Sequence, residues 1–105
     1  EAPLRIPDQS DGELAAAAAR GDGDAFGRLV ERHTLQARRV ARAILRNNED
    51  AEDAVQDGVL AAWRALGRYD PARPFRPWLM RIVVNAALDA RRLAESSDLA
   101  RDAVA

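Results

Sequence analysis

From residue 11 onward, apolar positions recur every three or four residues, the spacing of a helix with one buried face; no stretch alternates as a half-buried strand would. Ser10 followed by Glu13 fits the reciprocal S-x-x-E cap and predicts a helix starting at Asp11 and running through Ala15–Ala19. Gly21-Asp22-Gly23 is a turn signal that ends it. A second helical piece is expected from about Asp24, with Phe26, Leu29 and Val30 as its buried stripe. The next helix, Leu35 to Arg46, should point Leu35, Val40, Ile44 and Leu45 inward and its arginines outward, closing at Asn47-Asn48. A third long helix, from about Asp50 to Leu66, should bury Ala51, Val55, Val59, Ala62 and Leu66. Residues 67–74, with Gly67, Asp70, Pro71 and Pro74, form a loop of the length found between packed helices. The last helix begins near Phe75, with Pro77 in its first turn where a missing N–H costs little; Phe75, Trp78, Leu79, Ile82, Val83 and Ala86 make its apolar stripe.

These elements predict an all-α protein, a small helical bundle in one domain spanning residues 10–92. Residues 1–9, with two prolines and no periodicity, are expected to be a flexible lead-in. Residues 93–105 are acidic and weakly periodic, and are expected to be a frayed extension or the start of an interdomain linker.

Composition narrows this picture. The 105 residues are 48% apolar, Ala dominates that fraction, and only five residues are aromatic, a balance that favours helix over sheet. The absence of Cys excludes disulfides and thiolate metal sites. No segment approaches the roughly 20 apolar residues of a membrane span. Glu1 to Ser10 has neither the basic nor the apolar region of a secretory signal, so a cytoplasmic protein with no membrane partner is expected. Every basic residue is Arg, which fits either a GC-rich genome or selection for guanidinium chemistry.

Charge changes the picture most. The net charge of −1 argues against a nucleic-acid binder, but the average hides segregation. Residues 28–46 carry +5, residues 47–63 carry −5 and residues 64–92 carry +5. A chain divided in this way can offer an acidic face to one partner and a basic face to another. On the third helix the positions outside the core stripe are Asp53, Gln56, Asp57, Leu60 and Arg64, side by side at helical spacing. Clustered carboxylates repel, so this face is either plainly solvated or kept for a partner. A carboxylate-bridged metal site would need Glu-x-x-His pairs on facing helices, and the single His33 has no such partner. His33 is expected at a helix junction without a chemical role. No nucleophile–base pair, phosphate-binding glycine loop or metal set is present, so neither enzyme activity nor a cofactor is expected.

Ala51-Glu52-Asp53-Ala54-Val55-Gln56-Asp57, followed by Leu60 and Ala62-Trp63, resembles the A-E-D-x-V-Q-E…L-x-A-W signature of region 2.2 in extracytoplasmic-function (ECF) sigma factors of bacterial RNA polymerase. Gly67-Arg68-Tyr69-Asp70-Pro71, then Pro74-Phe75-Arg76-Pro77-Trp78-Leu79, Arg81-Ile82 and Asn85-Ala86-Ala87-Leu88-Asp89, resembles regions 2.3 and 2.4. Glu13-Leu14…Arg20-Gly21-Asp22…Ala25-Phe26 is similar to the opening of region 2.1. Together these segments cover about residues 11–92 in the right order. The sequence departs at Asp57, where Glu is usual, and at Gly58, where a bulkier residue is typical; Gly58 should cost the helix about 1 kcal/mol relative to Ala.

The resemblance implies a sigma region 2 bundle that recognises and opens the −10 promoter element while held on core polymerase. It implies that Asp53, Gln56, Asp57 and Leu60 dock on the β′ clamp helices, and that an anti-sigma factor is a further partner. The DNA face implied is Arg68, Tyr69, Arg76, Arg81, Asn85, Leu88 and Arg92, bound to the non-template strand. Chemistry independent of the family agrees: the last helix aligns Arg81, Asn85, Leu88 and Arg92, arginines neutralise phosphates, and an Asn amide offers both a donor and an acceptor to a base edge. Tyr69 is either a ring for an unstacked base or an anchor for its loop. Phe75 and Trp78 are assigned to the core. Two rivals are a sigma-like module that binds an anti-sigma factor without binding DNA, and a helix-turn-helix protein that binds duplex without polymerase. The family normally carries a second domain, region 4; its absence here, with no initiator Met, is expected of an excised fragment.

Overall fold

The computed structural model describes residues 9–104 and contains four α-helices among them: α1 (Asp11–Ala19), α2 (Gly23–Leu45), α3 (Asn48–Ala65) and α4 (Phe75–Val104). Residues 1–8 of the expected lead-in lie outside the described residues. A 3-10 turn, Leu66–Arg68, leads from α3 into the loop before α4. The expected all-α bundle is what the chain forms.

Local chemistry sets the helix boundaries. Glu13 N donates to Ser10 Oγ at 3.1 Å and Ser10 N to Glu13 Oε1 at 3.4 Å, completing the reciprocal cap of α1. Gly21, at φ 101°, makes the turn out of α1. Asp22 then caps α2 by accepting from Ala25 N at 3.1 Å. Asn47 accepts from Glu49 N and Asp50 N and starts α3 two residues earlier than expected.

Three expectations are corrected. The pieces expected from Asp24 and from Leu35 are one continuous helix, because nothing between Val30 and Leu35 breaks the backbone ladder; the Thr34 hydroxyl simply donates back to Val30 O. Leu35 does not face the core. It is 60% exposed, since it falls opposite the stripe of Leu29, Ala37 and Ala41. The tail after Arg92, expected as a frayed extension or the start of a linker, is helical: α4 continues to Val104, carried by good helix formers such as Ala94, Leu99 and Ala100 and by Arg91–Glu95 at 4.0 Å. From Arg91 to Ala103 every residue is exposed, and the far part of α4, beyond Ala94, stretches the molecule to 70 Å.

The core is built on Leu14, Leu29, Phe75, Leu79 and Val83, all fully buried, and nine of the nineteen buried apolar residues are alanines. Small side chains let the helix axes approach closely. The approach is tightest at Gly58, which faces α4: a β-carbon there would lie 3.1 Å from Val83 Cγ2 and 3.2 Å from Val83 Cα. Gly58, expected to be a local weakness of α3, is therefore a close-packing point between helices.

His33, expected at a helix junction, lies instead in the middle of the continuous α2. Its Nε2 lies 2.8 Å from Asp11 Oδ2, while Arg32 Nη1 donates to Asp11 Oδ1 at 3.1 Å, so the start of α1 is tied to the middle of α2. Burial of Asp11 favours its neutral form, but the hydrogen bonds and charges of His33 and Arg32 outweigh it and lower its pKa below 3.8. A carboxyl depressed on folding contributes stability above its unfolded value, and loses it as pH falls through the lower folded value. As pH falls through and below the usual carboxylate range, Asp11→Asn is therefore expected to flatten part of the acid-induced loss of stability, measured by denaturant unfolding at each pH.

Candidate functional site

The loop between α3 and α4 is organised by its aromatic residues. Tyr69 is 8% exposed; its ring packs edge-on against Phe75 (centroids 5.6 Å) and tilted against Trp78 (4.9 Å). Its hydroxyl donates to Arg73 O, closing the loop across Pro71. Burial, then the nearby Asp11 and Asp70 charges, raise the phenol pKa, which keeps it a neutral donor. Of the two expectations for Tyr69, its burial and the hydrogen bond to Arg73 O favour the anchor. Asp70 Oδ1 accepts from Ala72 N at 2.9 Å and shapes the same turn.

Over this anchored loop lies a recess of about 360 Å³, within the range of small-ligand pockets, lined by Arg68, Asp70, Arg73, Pro74, Trp78 and Arg81, with Tyr69 at its base. Three arginines line it, and Asp70, the one carboxylate in its lining, pairs with Arg73 at 4.0 Å. Only Arg68, Tyr69 and Arg81 of these residues belong to the DNA face expected from the sequence; two of the others matter chemically. Trp78, expected in the core, is only half-buried and forms a wall; Arg73 sits in the loop that Tyr69 closes. The signal for Arg73 is its place between Pro71 and Pro74, three residues after Asp70, with which it pairs at 4.0 Å.

Arg76, Arg81, Asn85 and Arg92 are exposed, and Leu88 is half-buried beneath them. Arg76 Nη1 donates to Gln36 Oε1 at 3.1 Å, and Arg92 pairs with Asp89 at 3.4 Å. On α3, Asp53, Gln56 and Asp57 are exposed, and Leu60 is 53% exposed. The two faces adjoin more closely than their separate stripes imply. Asp57 on α3 shares one α3–α4 groove of about 560 Å³ with Arg68, Asn85 and Asp89. Asp50, Asp53 and Asp57 line a smaller recess that continues it toward Ala90 and Ala94.

This arrangement offers an acidic α3 face with an exposed leucine, beside a cationic recess and an Asn-bearing helix. The sequence profile described as Sigma-70 region 2 matches residues 29–97. The chain belongs to the sigma-70 region 2 family. It is 46% identical over 86 residues to RNA polymerase sigma factor CnrH of Cupriavidus metallidurans, covering 82% of this chain. With the ECF RNA polymerase sigma factor SigM of Mycobacterium tuberculosis it shares 50% identity over 91 residues, covering 85% of this chain. The chain spans 45% of the length of each of these relatives. Among solved structures, the region 2 chain superposes on an engineered region 2 of sigmaE, determined by NMR in complex with GTAAAA, with a TM-score of 0.81 at 30% identity, covering 90% of this chain and 98% of that one. It superposes on CnrH, solved in complex with the cytosolic domain of CnrY, with a TM-score of 0.74 at 45% identity, covering 89% and 62% of the two chains.

Proposed function

We propose that this chain is the −10 recognition and strand-opening module of an ECF sigma factor, acting in the cytoplasm as part of bacterial RNA polymerase. The observation that carries the proposal is the likeness, over nearly the whole of both chains, to a region 2 solved with GTAAAA, together with the cationic recess that the loop and α4 form here. The resemblance assigns Asp53, Gln56, Asp57 and Leu60 to the β′ clamp helices, and their shared exposure on α3 supports that assignment.

On the DNA side, Arg68, Arg73 and Arg81 neutralise phosphates around the recess, and the half-buried Trp78, more than the buried Tyr69, is the aromatic side chain placed to meet a base. Arg76 and Arg92 extend the phosphate contacts on either side. Asn85, on the wall of the adjoining groove, reads a base edge, and Leu88 packs beneath it. Extruding a base from a duplex costs a few kcal/mol. A recess that takes the base only after it leaves the stack couples recognition to melting.

The match to CnrH in complex with the cytosolic domain of CnrY favours a further partner, an anti-sigma factor covering part of this surface. A module that bound only such a factor would have no use for the exposed α3 acids. Asn85→Ala is expected to erase roughly 1–3 kcal/mol of discrimination at one position of a single-stranded −10 oligonucleotide, with core-polymerase affinity unchanged. Fluorescence anisotropy with matched and single-substituted strands, with and without core polymerase, measures both quantities. Equal loss on every strand, or no binding of core polymerase by the parent chain, would overturn the assignment.

A further inference from the structure

The outer face of α2 has no role in the reading above. At 100° per residue, Arg28, Arg32, Leu35, Arg39 and Arg42 fall on one stripe opposite the buried side, about 21 Å from end to end, with Arg46 capping the helix just beyond it. Two other interactions define it. Arg38, at the stripe's margin, is drawn toward α3 by Glu52 at 3.1 Å, and Arg32 is held by Asp11. Arg28, Arg39, Arg42 and Arg46 have no carboxylate partner among the described residues, and all four are exposed. Like charges three and four positions apart destabilise a helix, so the fold gains nothing from this row. Leu35, 60% exposed, sits within it.

The stripe is continuous with the DNA-facing loop. Arg76, at the start of α4, donates to Gln36, and Gln36 is flanked on the surface of α2 by Arg32 and Arg39. A strand seated on the Arg68, Arg73 and Arg81 recess would leave its neighbouring phosphates beside this bridge.

We propose that the arginine stripe of α2 is a second, sequence-independent nucleic-acid contact, taking the sugar-phosphate backbone that flanks the −10 element. The inference rests on the −10 reading for the position of the DNA, but not for the chemistry of the stripe. An evenly charged polyanion suits a row of cations in which Glu31, at the margin, is the one carboxylate between Arg28 and Arg46. Arg46 is left out of the test because it lies past the end of α2, in the left-handed region at φ 62°, and not on the helix itself.

The experiment compares the 105-residue chain with an Arg28→Gln, Arg39→Gln, Arg42→Gln variant, checked for fold by circular dichroism. Binding is measured over a salt series to a six-nucleotide −10 strand and to strands and duplexes extended on either side. The variant is expected to bind the short strand as the parent does, and to lose the gain from one extension. With the extended DNA its salt slope should fall by about 2–3, at 0.7–0.9 per phosphate contact, single strands lying at the lower value and duplexes at the higher. An unchanged slope with intact binding of the short strand would overturn the stripe and leave the −10 reading standing. Loss of core-polymerase affinity with unchanged DNA binding would give the stripe to an acidic protein surface, and also overturn it. If the parent chain does not select the −10 strand at all, that reading fails, and the salt slope on an unrelated duplex decides the stripe alone.

Discussion

Asp53→Arg is expected to lower the affinity of the chain for core polymerase by about 100-fold or more while leaving the bundle folded. The residue is exposed in the first half of α3, beyond the Asn47 cap, and among the described residues it takes part in no ion pair. Replacing it therefore removes nothing that the fold uses. The family target is the basic, amphipathic clamp helices of β′, and a like charge set against such a surface costs several kcal/mol, each 1.4 kcal/mol being tenfold in affinity. Titration of core polymerase onto labelled chain reads the loss, and circular dichroism reads the fold. Unfolding of the variant would make the α3 acids structural; unchanged affinity would remove the clamp helices as their target.

Gly58→Leu is expected to destabilise the bundle by about 1–3 kcal/mol, opposite in sign to the effect on an isolated helix, where replacing glycine gains up to about 1 kcal/mol. The first added carbon would lie 3.2 Å from the α4 backbone at Val83, and the rest of the side chain would have to displace that helix. For a domain of this size each kcal/mol lowers Tm by roughly 4–8 °C, well within reach of a thermal melt. Val83→Ala in the same chain should restore part of the loss, because the two positions share one contact, and a double-mutant cycle measures the coupling. A Gly58→Leu variant more stable than the parent would mean that α4 moves aside without cost. The α3–α4 groove holding Asp57 and Asn85 depends on this approach, so polymerase and DNA affinities should shift together in the variant.

The helices themselves are legible in the sequence because their causes are local. Ser10 with Glu13, Gly21 and Pro77 each act within a turn of chain, and each stands at the boundary expected of it. The periodicity of Phe26, Leu29, Leu79 and Val83 likewise names core residues, since burying one face of a helix requires that spacing. The same logic fails at Leu35, an apolar side chain expected to be buried, because its position on a continuous α2 carries it to the outer face. It fails again after Arg92, where weak amphipathicity suggests fraying; a helix of good formers can persist with no core to pack against.

By itself the sequence determined the helices, most of their buried faces, the segregation of charge and, through its motifs, the family. These follow from spacing along the chain, which sets neighbours within a helix. Only the tertiary structure decided what meets across helices. It closed Tyr69 between Phe75 and Trp78 and so made it an anchor, turned Trp78 and Arg73 toward a recess, brought Asp57 and Asn85 to one groove, and made Gly58 a contact point. The physical reason is that these relations depend on interhelical distance and rotation, which are set by the packing of small side chains over the whole core and by no short segment of it.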